Sequence, residues 1–179
     1  MRAAFELMVF DRIDVSAVKI ISILIFIFFL LVLSFIDMKR HIIPDKILIF
    51  FAGTGILINT CIFLLVFDYW ILISALAGFI SGIFPLFLAI VLSKGKMGAG
   101  DMKLLGVIGI WTGPVNTLLI FFISVLLAGI FAVFMLLLRK MNIKSELPLG
   151  PFMLLGSIAC IAFNDSLMNI IGRVLLIGS

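Results

Sequence analysis

The chain has 179 residues, of which 65% are hydrophobic and 12% are charged, and its mean hydropathy is +1.44. These values lie far outside the range of soluble globular domains and predict an integral membrane protein. The net charge of +4 does not indicate nucleic-acid binding, because the basic residues fall in short clusters between apolar runs, as in a membrane topology signal. Cys61 and Cys160 lie inside apolar runs without a CxxC spacing, so neither a zinc site nor a redox pair is predicted.

Apolar runs divide the chain into six predicted membrane helices, so the fold class is all-α: a polytopic membrane protein in which residues 1–179 form a single domain. Residues 1–19 are charged and precede a run without a small-residue cleavage site, so a cleaved signal peptide is not predicted. The fourth helix is short, because about ten residues cover roughly 15 Å whereas a bilayer core needs about 20 residues. The predicted helices are approximately residues 18–36, 47–67, 71–92, 102–112, 115–138 and 152–171.

The stretch at residues 93–114, SKGKMGAGDMKLLGVIGIWTGP, interrupts this apolar chain with lysines, glycines and one aspartate. If the turn at its end lies near one membrane surface, the short fourth helix begins below the other surface, which places Asp101 in a low dielectric. A carboxylate there is costly and is a functional candidate. Gly98 and Gly100 permit unusual backbone angles and close approach, so we expect a lined cavity beside Asp101 that admits another helix or an extended peptide.

A second informative stretch, SFIDMKRHIIPD at residues 34–45, places Asp37 at the end of the first helix, and Pro44 marks the loop that follows. The loops after the first, third and fifth helices hold nine of the thirteen basic residues. The positive-inside rule places these loops in the cytoplasm and both termini outside, so Asp37 and Asp101 share the cytoplasmic side. The nine are Lys39, Arg40, Lys46, Lys94, Lys96, Lys103, Arg139, Lys140 and Lys144.

Two carboxylates at membrane depth on the same side suggest an aspartyl dyad. Such a pair shares one proton, so that the ionised partner draws a proton from water while the protonated partner polarises a scissile carbonyl. No separate nucleophile is evident, because the serines lack a positioned histidine and His41 has no triad partners.

The sequence also allows purely structural roles for these charged residues. Asp37 is also explained as a helix-end residue paired with Lys39 or Arg40, and Asp101 as a helix N-cap. Asp45 follows a proline and is interpreted as a turn or cap residue. Lys103 lies on a different helical face from Asp101, and we favour an interaction of its amine with lipid phosphates over a role in tuning the dyad.

The motifs FID-x-K-R-x-x-I-P-D, MGAGDMKLL and PLGPF occur in this order, and together they resemble the type IV prepilin peptidases, membrane aspartyl proteases with a GxGD signature. The resemblance covers roughly residues 35–152. GxGD alone is a weak pattern, whereas the ordered combination is specific. The resemblance implies that Asp37 and Asp101 are the catalytic pair and that no metal or cofactor takes part. Residues expected to shape the site or admit the substrate are Gly98, Gly100, Lys103 and Pro44.

The resemblance further implies that the substrates are prepilins or pilin-like proteins, cut at the cytoplasmic face of the cell membrane between a short basic leader and a hydrophobic helix. Longer bacterial members carry an added cytoplasmic region with paired CxxC cysteines and N-methylate the new terminus. Residues 1–19 leave no room for that region and the chain has no CxxC, so we expect cleavage without methylation, as in the similar tight-adherence and preflagellin peptidases.

The rival interpretation is a small proton- or cation-coupled transporter, or a secretion assembly subunit, in which Asp37 and Asp101 form a relay. A relay usually continues with polar groups toward the other surface, and the sequence shows none before Asn116 and Asp165. A noncatalytic scaffold is a third interpretation. The expected partners are the pilin-like substrate and the lipid bilayer, and the sequence defines no oligomeric state.

Overall fold

The computed structural model of the chain describes residues 15–92, 98–138 and 147–162, and these residues form helices and short turns, without a β-strand. Four of the helices are long and apolar enough to cross a membrane, and the fifth is shorter. The all-α membrane fold is therefore confirmed for the described residues, whereas six separate spans are not. The helices are α1, Val15–Arg40; α2, Asp45–Val66; α3, Trp70–Leu92; α4, Ala99–Leu137; and α5, Gly150–Ala162.

The turn between α1 and α2 is short and closely defined. His41 adopts a left-handed φ of 51°, and its N–H donates to the carbonyl oxygen of Asp37 at 2.8 Å, which closes the end of α1. Pro44 then takes an extended conformation as the N-cap of α2. The end of α1 and the start of α2 are thus held side by side at one end of the bundle.

Helix α4 consists of two limbs, residues 99–112 and 114–137, which meet at Gly113. Gly113 has φ 74° and ψ 174°, a conformation that favours glycine, and Pro114 follows without an N–H to continue the helical hydrogen bonds. A straight helix of 39 residues would be about 58 Å long, far more than the roughly 30 Å of a bilayer core. The break therefore allows the second limb to turn back.

Contacts with α5 show the direction of the second limb. Helix α5 begins beside Asp37, with Phe152 near its start and Gly156 one turn further along. The Phe152 ring lies 5.5 Å from that of Phe131, and Gly156 packs against Ser124, earlier in the second limb. The second limb therefore runs antiparallel to α5, back toward the end of the bundle that holds Asp37.

The first limb of α4 packs closely on α3 because glycines face each other. A Cβ atom at Gly78 would collide with the carbonyl of Gly109, and one at Gly82 would collide with that of Leu105. Gly106 similarly lies against Phe79. Gly106 and Gly109 thus form a close-packing face, which fixes the first limb against α3.

Aromatic rings fill the space between α1, α2 and the first limb. The Phe51 ring is fully buried and lies 5.8 Å from Phe26, 5.2 Å from Phe29 and 5.4 Å from Trp111. The indole N–H of Trp111 donates to the Phe51 carbonyl at 3.1 Å, so its polar atom is satisfied inside the apolar cluster. This cluster holds α1, α2 and the first limb of α4 together, and two of these helices carry the aspartates of the candidate site.

Some helices begin at other residues than predicted, because the residues of the preceding turn, and not hydropathy, determine where those helices begin. The first limb of α4 begins at Ala99, three residues before the predicted start, so Asp101 lies inside the first helical turn. Helix α5 begins at Gly150 instead of residue 152. Asp165 and residues 163–171 of the predicted sixth helix lie outside the described residues.

Candidate active site

Asp37 is buried although it lies in the last turn of a membrane helix. Its relative exposure is 4%, whereas Met38, Lys39 and Arg40 are all exposed. Lys39 places its amine 4.3 Å from the centre of the Phe35 ring, and within the described residues Asp37 forms no ion pair with Lys39 or Arg40. The ion-pair interpretation of Asp37 is therefore wrong, because its side chain points into the bundle.

The buried carboxylate accepts a hydrogen bond from the start of α5. The backbone N–H of Gly150 donates to Oδ2 of Asp37 at 2.9 Å. A Cβ atom at position 150 would lie 2.8 Å from that oxygen and 3.1 Å from the Asp37 Cβ. Glycine is therefore the residue that allows the carboxylate to reach the helix end. This glycine belongs to the PLGPF motif, but the motif alone does not reveal its contact with Asp37.

Asp101 occupies the third position of the first turn of α4, partly buried. Gly98 is the N-cap, so the interpretation of Asp101 as the N-cap residue is wrong. The carboxylate is near enough to Asp37 for their charges to interact. The structure therefore brings together two aspartates that are 64 positions apart, one from the end of α1 and one from the start of α4.

The two glycines before Asp101 differ in what surrounds them. Gly98 is exposed, and an added Cβ would meet only Oδ2 of Asp101, at an ordinary 3.7 Å. Gly100 is helical, and an added Cβ would lie 3.3 Å from that of Ile43. Gly98 thus leaves space beside the carboxylate, whereas Gly100 packs against the residue that precedes Pro44.

Lys103 and Asp45 form an ion pair that sequence reasoning missed. The Lys103 amine lies 2.7 Å from Oδ1 of Asp45, and both side chains are exposed to solvent or lipid headgroups. This contact gives Asp45 a partner beyond its own turn, and the expected interaction of Lys103 with lipid phosphates stays a prediction. Both residues lie within the motifs that hold the aspartates, and no other signal in the sequence pointed to their contact.

An open groove of about 480 Å³ lies at the same end of the bundle but contains neither aspartate. Lys39 and Arg40 border it together with apolar side chains, so these cations belong to a surface distinct from the carboxylate pair. No three His, Cys, Asp or Glu side chains are grouped as a metal site requires in residues 15–92, 98–138 and 147–162. The groove is lined by Phe35, Ile36, Lys39, Arg40, Ile42, Pro44 and Ile47.

Comparisons with known proteins show the family of the chain. Residues 24–133 match the type IV leader peptidase family. The chain is 32% identical over 152 residues to a protein of Bacillus subtilis (strain 168) named prepilin leader peptidase/N-methyltransferase. The matched region covers 81% of this chain and 56% of that protein. Proteins of the same name from Aeromonas salmonicida (strain A449) and Legionella pneumophila are 30% and 26% identical, covering 77% and 85% of this chain and 47% and 53% of theirs.

The chain spans about half the length of the curated relatives it matches. No solved structure matches it significantly. The family match includes both helix ends that carry the aspartates and covers more than half of the chain. On the strength of that match, the chain belongs to the type IV leader peptidase family.

Proposed function

We propose that this chain is a membrane aspartyl endopeptidase that removes the short leader peptide from prepilins or pilin-like precursors. The observation that carries the proposal is that Asp37 and Asp101, from parts of the chain far apart in sequence, lie near enough for their charges to interact. The printed name of the relatives, prepilin leader peptidase/N-methyltransferase, supports the substrate class.

In the proposed reaction the two carboxyl groups share one proton. The ionised carboxylate takes a proton from water, whose oxygen bonds to the scissile carbonyl carbon while the protonated partner gives its proton to the carbonyl oxygen. One hydroxyl of the resulting diol then returns a proton to the ionised carboxylate, and the protonated partner gives its proton to the nitrogen. The C–N bond breaks, and the pair is again singly protonated.

The surroundings of the carboxylates support a peptide substrate. The space beside Gly98 is next to Oδ2 of Asp101 and is the place where we position the scissile strand. Helix surfaces around it are strongly apolar, so the hydrophobic part of a prepilin has a surface to lie against while its leader stays in water. The basic residues at this end support a site at the cytoplasmic face of the cell membrane.

The proposal assigns peptide hydrolysis to this chain and not N-methylation. The relatives carry both activities in their name. The sequence contains no CxxC pair, which the resemblance associates with the methylating members. The expected product is therefore a pilin with a free, unmethylated N-terminal amine.

A transporter that uses the aspartates as a relay is not favoured. The polar residues that follow along α4 satisfy their hydroxyls locally: Thr117 donates to the Gly113 carbonyl and Ser124 donates to the Ile120 carbonyl. Such bonds to the preceding helical turn do not form a chain of groups toward the carboxylates. The family match also points to a peptidase.

The test is co-expression of the chain with a candidate prepilin from the same genome, with leader removal followed by gel shift and the product terminus identified by mass spectrometry. We expect the wild type to cleave, and Asp37→Asn and Asp101→Asn each to abolish cleavage at unchanged expression. Asp68→Asn is the matched control, because Asp68 is exposed in the turn between α2 and α3 and asparagine keeps an oxygen for the Trp70 N–H. Cleavage that survives either substitution in the pair contradicts the proposal.

A further inference from the structure

The start of α5 has an unusual supply of hydrogen-bond donors. The N–H groups in the first turn of a helix have no acceptor within the helix. In α5 the second residue, Pro151, has no N–H at all, and the first ordinary helical bond runs from Met153 to the carbonyl of Leu149 at 2.9 Å. The Gly150 N–H is used outside the helix, on Oδ2 of Asp37.

Close packing holds α5 in the position that this bond requires. Met153, Gly156, Ser157 and Cys160 are buried on α5. A Cβ atom at Gly156 would lie 2.5 Å from the Ser124 hydroxyl and 3.0 Å from the Ile120 carbonyl, so the helix rests directly on the second limb of α4. The N–H donor of Gly150 therefore belongs to a closely packed helix and not to a loop.

The bond restricts Asp37 in two ways. A carboxylate with one oxygen bonded to a fixed amide has its plane and rotamer defined, so the place of Oδ1 is defined as well. In addition, protonation is less favourable at a carboxylate oxygen that accepts a hydrogen bond from an N–H group than at a carboxylate oxygen that accepts none. The proton shared by the pair is then directed to Oδ1 of Asp37 or to Asp101.

We propose that the backbone N–H of Gly150 is a positioning group for the aspartate pair, which orients Asp37 for the attack of water, and that position 150 requires glycine for this reason. The inference rests on the proposed function and adds a third element, α5, to a site otherwise formed by α1 and α4. Gly150 itself makes no bond to the substrate in this account.

The first experiment is Gly150→Ala, assayed with a purified prepilin for kcat and KM. The added methyl group pushes on the Asp37 carboxylate, and a misplacement of about 1 Å is expected to lower kcat by about 10²-fold while KM changes little. Gly53→Ala and Gly129→Ala are matched controls, because a Cβ atom at either position meets nothing within 4 Å. Wild-type kcat in Gly150→Ala overturns the proposal.

The second experiment removes the donor without adding an atom. Replacement of Gly150 by glycolic acid through nonsense suppression converts the Leu149–Gly150 amide into an ester, so the N–H is lost and the shape is kept. The control is the α-hydroxy analogue of methionine at position 153, which removes an ordinary helical bond in the same turn. We expect kcat to fall about tenfold or more only for the ester at position 150, with KM and melting temperature close to those of the control.

Equal kcat for the two esters overturns the inference even if Gly150→Ala fails to fold. The proposed function is tested separately by the substitutions in the pair. If Asp37→Asn and Asp101→Asn abolish cleavage but the ester at position 150 is fully active, the peptidase assignment stands and only the role of Gly150 fails. If cleavage survives in either aspartate variant, the proposed function itself fails.

Discussion

Within four residues, the last turn of α1 carries one side chain that is buried in the bundle and two that are exposed on its outside. Asp37 is buried against α5, whereas Lys39 and Arg40 are exposed along the outer groove. Successive helical residues point about 100° apart, so one turn presents a carboxylate inward and cations outward. Sequence spacing alone left an ion pair of Asp37 with these cations open, because it does not show which face of α1 meets the rest of the bundle.

The exposed ion pair of Lys103 and Asp45 joins α4, two residues after Asp101, to the first residue of α2. An exposed pair contributes only about 0–1 kcal/mol to stability, so its loss affects the placement of Asp101 more than folding. We predict that Asp45→Lys and Lys103→Asp each slow leader removal severalfold at a nearly unchanged melting temperature. The exchanged double variant is expected to recover most of the wild-type rate.

The measurement is the rate of leader removal by the four proteins under the same conditions, with Lys46→Asp as the control for a charge change at a neighbouring exposed position. Restoration in the double variant assigns the effect to the pair. If both single variants cleave as fast as the wild type, the pair has no part in positioning Asp101.

Gly98 has backbone angles, φ −67° and ψ 124°, that any residue adopts, and an added methyl group meets only Asp101, at 3.7 Å. We therefore predict that Gly98→Ala leaves the melting temperature unchanged or slightly raised, since glycine to alanine at a compatible site stabilises by about 0.4–1 kcal/mol. The methyl group occupies space assigned to the substrate, so KM for the prepilin is expected to rise severalfold. An unchanged KM would show that the substrate does not use this space.

At the scale of the elements, hydropathy predicts where apolar helices run and turn chemistry decides where they begin. The half-length fourth helix was predictable because its apolar run ends at Thr112-Gly113-Pro114, and the structure breaks α4 at Gly113. The start of this helix at Ala99 was not predictable, because Ala99 and Gly100 add little hydropathy to the apolar run. The donor at Gly150 was also missed, since no local pattern reveals which side chain a free helix end will meet.

The break in α4 gives a prediction at this scale. Alanine at position 113 must adopt φ 74°, which costs about 1–3 kcal/mol, and its Cβ would lie 2.7 Å from the Ser74 hydroxyl. We expect Gly113→Ala to lower the melting temperature by about 3–10 °C. Adding Ser74→Ala relieves the collision but not the backbone strain, so recovery should be partial. A melting temperature equal to that of Gly53→Ala contradicts the strained turn.

For the whole molecule, the candidate site depends on three helix ends that are distant in sequence and are brought together by close packing. Glycines set the approach of α3 to the first limb of α4 and of α5 to the second limb. Asp37, Asp101 and Gly150 then meet at one end. The ordered motifs predicted the two aspartates, but the third contact needed the tertiary structure, because it depends on the reversal of α4 and the packing of α5.

The orientation of the bundle in the membrane follows from charge, since Lys39, Arg40, Lys46 and Lys103 lie at the end that holds the aspartates and the turn between α2 and α3 has no basic residue. We predict that the aspartate end faces the cytoplasm. In a chain with Cys61 and Cys160 replaced by alanine, single cysteines at His41 and Tyr69, both exposed, report the two ends. A membrane-impermeant maleimide applied to intact spheroplasts should label Tyr69→Cys at once and His41→Cys only after permeabilisation. The reverse pattern would place the carboxylates outside, where a leader that stays in the cytoplasm cannot reach them, and would contradict the prepilin assignment together with the orientation.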